Sequence, residues 1–231
     1  MAEHDYEINK LAKEESWRMF RIIGELVEGF DTLSGIEPAV TIYGSARLKE
    51  DDPLWKQTED IAYRLGKKGF SIITGGGPGV MAAANSGALK AGVPSIGLNI
   101  ELPEEQAVNP YTTKSITFHH FFVRKVMLAK YATAFIIMPG GLGTLDELSE
   151  ILTLIQTRKI RPFPVIMFGS RYWQGFLDWL QNSVLASGNV SPEDLSLLRV
   201  IDSPDEVIET VEAWYRKHEV HGKQVFDVTD V

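Results

Sequence analysis

The chain has 231 residues, 44% hydrophobic and 23% charged, which fits one large soluble globule and excludes a disordered polar tract, a collagen repeat or a coiled-coil rod. With 23 basic and 31 acidic residues the net charge is −8, so no sequence-independent grip on a nucleic-acid polymer or an anionic membrane is expected, and any bound phosphate should be small and locally held. There is no cysteine, hence no disulfide framework, thiolate metal site or cysteine nucleophile, and the acidic start carries no secretory signal, so a cytoplasmic location is expected.

Residues 5–30 place Ile8, Leu11, Trp17, Phe20, Ile23, Val27 and Phe30 mostly three or four apart, the period of an amphipathic helix appended before the rest of the chain. A first β-rich run, 39–43, ends at Gly44-Ser45. A helix over about 53–68 follows, with proline at its start and glycine at its end, and then a strand over 70–74. Gly75-Gly76-Gly77-Pro78-Gly79 comes next, then an Ala-rich helix over 80–90, a strand over 95–99, a long loop and a strand over 115–118. A helix over 121–131 leads to a strand over 134–138, to Pro139-Gly140-Gly141-Leu142-Gly143, and to a helix over 144–157. The pattern closes with a strand over 164–168, a Trp-rich helix over 172–185 and a last helix over 204–218. Alternating strands and helices with continuously apolar strands predict an α/β fold, doubly wound, with a mostly parallel, Rossmann-like sheet covered by helices on both faces. The expected division is a helical extension over 1–35, a nucleotide-binding domain over 36–220 and a tail over 221–231.

Both glycine loops fall at carboxyl ends of strands, where a doubly wound sheet binds its ligands. Glycine lets backbone N–H groups approach an anion, and the following helix contributes its positive end, so phosphate is the expected guest. The first loop does not match G-x-G-x-x-G, although Glu101 stands where a ribose-binding acid would be sought, and neither loop is followed by a GK[ST] triplet. Two equivalent loops on one sheet edge suggest one shared phosphate pocket. Ser45 and Arg47 follow the first strand and should open onto the same edge.

Thr144-Leu145-Asp146-Glu147 has two readings. It fits a capping box, in which Glu147 satisfies backbone N–H groups; alternatively Glu147 points into the cleft, near the ribose of a nucleotide whose phosphate sits on the loop. Arg124, beside Lys125, is read either as a solvated basic residue or as a partner of phosphate or Glu147. His119-His120 has no acidic or histidine partner at ligand spacing, so a strand-end or capping role is expected and no metal site. Trp17, Trp55, Trp173, Trp179 and Trp214 are expected to be packing residues.

Arg124-Lys125 and Pro139-Gly140-Gly141-x-Gly143-Thr144-x-x-Glu147, with Gly75-Gly76-Gly77-x-Gly79-Val80-Met81 and Tyr43-Gly44-Ser45-Ala46-Arg47, resemble the LONELY GUY (LOG) family of phosphoribohydrolases, long labelled lysine decarboxylases. The likeness covers about residues 40–169. It implies hydrolysis of the N-glycosidic bond of a nucleoside 5′-monophosphate, a cytokinin ribotide or AMP, to free base and ribose 5-phosphate, with no metal or organic cofactor. By position, Arg124 and Glu147 would be catalytic. Gly140, Gly141, Leu142, Gly143, Thr144 and Asp146 would hold substrate, helped by Gly76, Gly77, Gly79, Lys125, Thr153 and Glu105 or its neighbour Glu104. Phe121-Phe122 replaces the Met-His of many relatives. The family implies a homodimer, whose interface the extra helix could enlarge. The alternative is a non-catalytic phosphate-ligand carrier of the same fold, similar to molybdenum-cofactor carrier proteins.

Overall fold

The structure is a computed structural model that describes residues 15–102 and 109–219. Helix α1 (Glu15–Leu33) precedes strand β1 (Ala39–Tyr43), α2 (Pro53–Lys67), β2 (Ser71–Thr74), α3 (Val80–Ala91), β3 (Ser95–Ile100) and β4 (Lys114–Phe118). Then come α4 (Phe121–Lys130), β5 (Ala132–Ile137), α5 (Leu142–Gln156), β6 (Val165–Phe168), α6 (Ser170–Trp179), a π-helical turn (Leu180–Leu185), a short α7 (Pro192–Leu195), β7 (Leu198–Ile201) and α8 (Pro204–Glu219).

All seven strands are parallel, in the order β4-β3-β2-β1-β5-β6-β7. The chain walks outward from β1 to β4 and then returns to the opposite side of β1 as β5. This reversal opens a crevice at the carboxyl ends of β1 and β5, where Tyr43 pairs with Ile137. Every residue of β1, β2, β5 and β6 is buried, which is why these strands read as continuous apolar runs. Alternate residues feed two cores: Ala39, Tyr43, Phe135 and Ile137 point to the side packed by α1, α4 and α5, while Val40, Ile42, Ala134 and Ile136 point to the side packed by α2, α3 and α8.

The expected fold is present, with differences in detail. Strand β7 and helix α7 are additional to the elements read from the pattern. The Trp-rich helix is shorter, ending at Trp179 before the π-helical turn. Trp55 and Trp173 are buried and Trp214 packs against the core, whereas Trp17 and Trp179 are 69% and 55% exposed among the described residues, each beside one phenylalanine, Phe20 and Phe176. On α1, Trp17, Phe20, Ile23, Val27 and Phe30 form an outward apolar stripe, and Phe121, Phe122 and Val126 of α4 are exposed as well. Among the described residues no helix is long and apolar enough to cross a membrane.

Candidate functional site

The second glycine loop is built as an open helix start. β5 delivers Pro139 and Gly140, and α5 begins at Leu142 behind Gly141, which has no side chain to cap it. A Cβ on Gly141 or Gly143 would meet nothing within 4 Å, so backbone, not side chain, faces the opening here. The Tyr172 hydroxyl donates to the Gly140 carbonyl at 2.7 Å and braces the loop from α6. The capping-box reading of Thr144 and Glu147 is corrected: because α5 starts two residues earlier than expected, Thr144 lies inside the first turn and Glu147 in the second. Glu147 is therefore about 7 Å along the axis from the helix start.

Freed from capping, Glu147 meets Arg124. Nη1 of Arg124 lies 3.7 Å from Oε1 of Glu147, with side chains only 11% and 16% exposed. The guanidinium is held from behind: Nε donates to the Leu98 carbonyl at 2.6 Å and Nη2 to the Gly75 carbonyl at 3.4 Å. Burial pushes the Glu147 carboxyl up to about 7, against the downward pull of Arg124, with Asp146 adding to the rise. Burial also lowers the Arg124 guanidinium from its usual value, while Glu147 and Tyr43 favour its charged form. The Tyr43 phenol, beneath the pair, is raised by burial first and by Glu147 second. A carboxyl poised near neutrality can take up or release a proton during a reaction, and the adjacent cation can balance charge.

The first glycine loop is closed by protein. A Cβ at Gly75 would overlap Nη2 of Arg124, so this glycine makes room for the guanidinium. Gly79, at φ +68°, would push a Cβ into the Ser45 and Ala46 backbone. The Gly76 N–H donates to Thr74 Oγ1 at 3.0 Å, and Thr74 Oγ1 donates to Asn85 Oδ1 at 2.6 Å. Asn109 Nδ2 donates to the same Asn85 oxygen at 2.9 Å and to the Gly77 carbonyl at 3.2 Å.

Ser45 joins the two loops. Its N–H donates to the Pro139 carbonyl at 3.1 Å and its carbonyl accepts the Val80 N–H at 2.9 Å. Of the residues singled out in the sequence, Ser45, Gly75, Arg124, Gly140, Thr144 and Glu147 are thereby drawn to one sheet edge. Arg47 is exposed, its N–H on Ser45 Oγ at 3.1 Å. Lys125 Nζ is paired with Asp146 at 2.8 Å and Glu150 at 3.4 Å. Leu142 is 86% exposed. Thr153 is not brought to the Arg124–Glu147 pair: it lies about 16 Å along α5 from the helix start. There it lines an apolar groove of about 540 Å³ between α5, α6 and the π-helical turn, with Leu145, Leu152, Phe176 and Trp179. Glu104 and Glu105 lie outside the described residues.

Three partnerships run across the sequence reading. Glu101 pairs with His119, at 2.8 Å. His119 and His120 stand at the strand end as expected, yet they do have an acidic partner, Glu25 of α1, which spacing along the chain conceals. Tyr43, Asn85 and Asn109 were not singled out for roles. An asparagine in the otherwise small and apolar face of α3 was the one available signal for Asn85. Among the described residues no group of three or more His, Asp or Glu side chains could hold a metal.

An Arabidopsis thaliana cytokinin riboside 5′-monophosphate phosphoribohydrolase is 28% identical over 183 residues, covering 75% of this chain and 84% of its own. A Mycobacterium tuberculosis protein of the same name is 28% identical over 159 residues, 64% of this chain and 80% of its own. In fold, the molybdenum cofactor carrier protein of Chlamydomonas reinhardtii superposes with a TM-score of 0.55 at 20% identity, covering 78% of this chain and 98% of that one. The molybdenum cofactor binding protein of Rippkaea orientalis does so with a TM-score of 0.54 at 23% identity, covering 76% and 94%. The sequence profile of the family described as possible lysine decarboxylase matches residues 81–211, more than half of the chain, and the chain belongs to that family, the LONELY GUY (LOG) family.

Proposed function

We propose that the protein hydrolyses the N-glycosidic bond of a nucleoside 5′-monophosphate, AMP or a cytokinin ribotide, releasing the free base and ribose 5-phosphate. The observation that carries this reading is the buried Arg124–Glu147 pair, with the Glu147 carboxyl raised to about 7 in the second turn of the helix whose uncapped start faces the crevice. The 5′-phosphate sits on the N–H groups of Gly141 to Thr144, stabilised by the positive end of α5. That places the ribose over the second turn of α5, within reach of Glu147. As the C1′–N bond breaks, its electron pair leaves with the base, which takes up a proton from solvent, balanced by the proton that Glu147 afterwards returns to solvent. Glu147 stabilises positive charge at C1′ and accepts a proton from the water whose oxygen bonds to C1′. Arg124, fixed by two backbone carbonyls, holds Glu147 in place and balances charge around the leaving base. The chemistry asks for no metal or organic cofactor. Decarboxylation of lysine has no support from Lys125, whose amine is engaged by two carboxylates.

The partner we propose is a second copy of this chain, meeting the first through the apolar stripe of α1. Arg18 and Arg21 lie in the first half of that helix and Glu28 and Asp31 in the second, so an antiparallel pair of α1 helices would match opposite charges beside the shared stripe.

The test is a chromatographic assay of the purified protein with AMP and with isopentenyl-adenosine monophosphate, without added metal. Release of base and ribose 5-phosphate from either, lost in Glu147→Gln, supports the hydrolase. Binding of phosphate-bearing ligands without release from either would turn the reading toward a carrier.

A further inference from the structure

The two residues that lead into helix α4, which carries Arg124, are held by another element. His120 is the N-cap residue of α4, but the His120 side chain makes no cap bond and no acidic residue stands in the first turn. Glu25 of α1, 8% exposed, supplies the missing negative charge. Its Oε1 accepts the backbone N–H of His119 at 3.2 Å and its Oε2 that of His120 at 3.3 Å, and Nδ1 of both imidazoles lies 3.1 Å from Oε1. A carboxylate at a helix N-terminus is favoured both by the N–H groups it satisfies and by the helix dipole. The seat is close: a Cβ on Gly29, one turn beyond Glu25, would come within 2.8 Å of Met127. Lys114 Nζ ties the far end of α1 through the Thr32 carbonyl at 3.0 Å.

The clamp is one helical turn from the site, because the Arg124 N–H donates to the His120 carbonyl at 3.2 Å. We propose that Glu25 is a positioning residue: by fixing the start of α4 it sets where the Arg124 guanidinium stands against Glu147, and so makes the appended helix α1 a working part of the site. Displacement of a reacting constellation by about an ångström costs up to roughly a hundredfold in rate, and a further ångström would carry the 3.7 Å pair beyond ion-pair distance. The phosphate loop rides on α5 and is untouched by Glu25, so ground-state binding should be spared.

The kinetic arm rests on the hydrolase reading; the exchange arm stands without it. Glu25→Gln keeps the shape with one acceptor oxygen and no charge, Glu25→Ala removes the clamp, and Ile22→Ala loosens α1 through the same core without removing a group that bonds either histidine. Expected for Glu25→Gln is a fall in kcat for AMP of roughly tenfold with KM changed less than twofold, with a larger fall in Glu25→Ala. Amides of His119, His120 and Arg124 should exchange about tenfold faster in both. Ile22→Ala should lower Tm comparably yet leave kcat within twofold. A folded Glu25→Ala with wild-type kcat, or an Ile22→Ala that loses as much kcat, overturns the proposal. If the wild-type protein hydrolyses nothing, the hydrolase reading fails by itself, and unchanged exchange at His119 to Arg124 in Glu25→Ala would still overturn the clamp.

Discussion

The two glycine loops look interchangeable in sequence, each joining a parallel strand to a helix, yet they use glycine in opposite ways. In the loop after β2 the missing side chains make room for the protein itself: Gly75 for the Arg124 guanidinium, Gly79 for the backbone after β1. In the loop after β5, Gly141 and Gly143 face open space. One loop is a mould for the Arg124 side chain, the other a surface left bare. The same residue type therefore carries information only once its neighbours are known.

The largest expected effect tests what the mould is for. Glu147→Gln should lower turnover by about a thousandfold while leaving ribose 5-phosphate affinity within a few fold, read by single-turnover kinetics and calorimetry. It should also reveal the cost of holding that carboxyl. The folded state raises Glu147 from 4.5 to about 7, so it binds the proton more tightly than the unfolded chain; stability is lost as pH rises from 4.5 toward 7 and stays lost above. The variant, a neutral mimic, should then be more stable than wild type by up to about 3 kcal/mol at pH 8 and equal to it near pH 4, by denaturant titration. Next in size, Gly79→Ala should destabilise the fold by about 2–3 kcal/mol, since strain at positive φ adds to a backbone clash, with activity falling through lost structure. Gly143→Ala should leave Tm within a degree or two and instead weaken phosphate-ligand affinity several fold; equal effects of the two substitutions would erase the distinction between the loops. The smallest effect concerns ionisation: kcat/KM should rise with pH along an acid limb near 7, which Glu147→Asp would move.

The fold was legible because its strands are buried on both sides, and a run such as Ala39 to Tyr43 has no competing reading. Strand β7 escaped because Leu198 to Ile201 forms a half-buried edge with Arg199 turned outward. At the site, strings of glycine announced two loops but not which was open. The capping box deceived because a helix can start at glycine: two residues of shift turned Glu147 from a cap into the partner of Arg124. Glu25 was invisible for a different reason, since it lies 94 positions before His119, and no local pattern links an appended helix to the start of α4.

Ser45 bonds both loops through one residue, donating to Pro139 and accepting from Val80, so the two halves of the site are tied together at one backbone residue just past β1. Neither half alone can assemble the pocket, and a ligand seated there bridges segments far apart in sequence. Ligand binding should then act as a fastener on the whole chain, raising the midpoint of one cooperative unfolding transition instead of protecting one lobe.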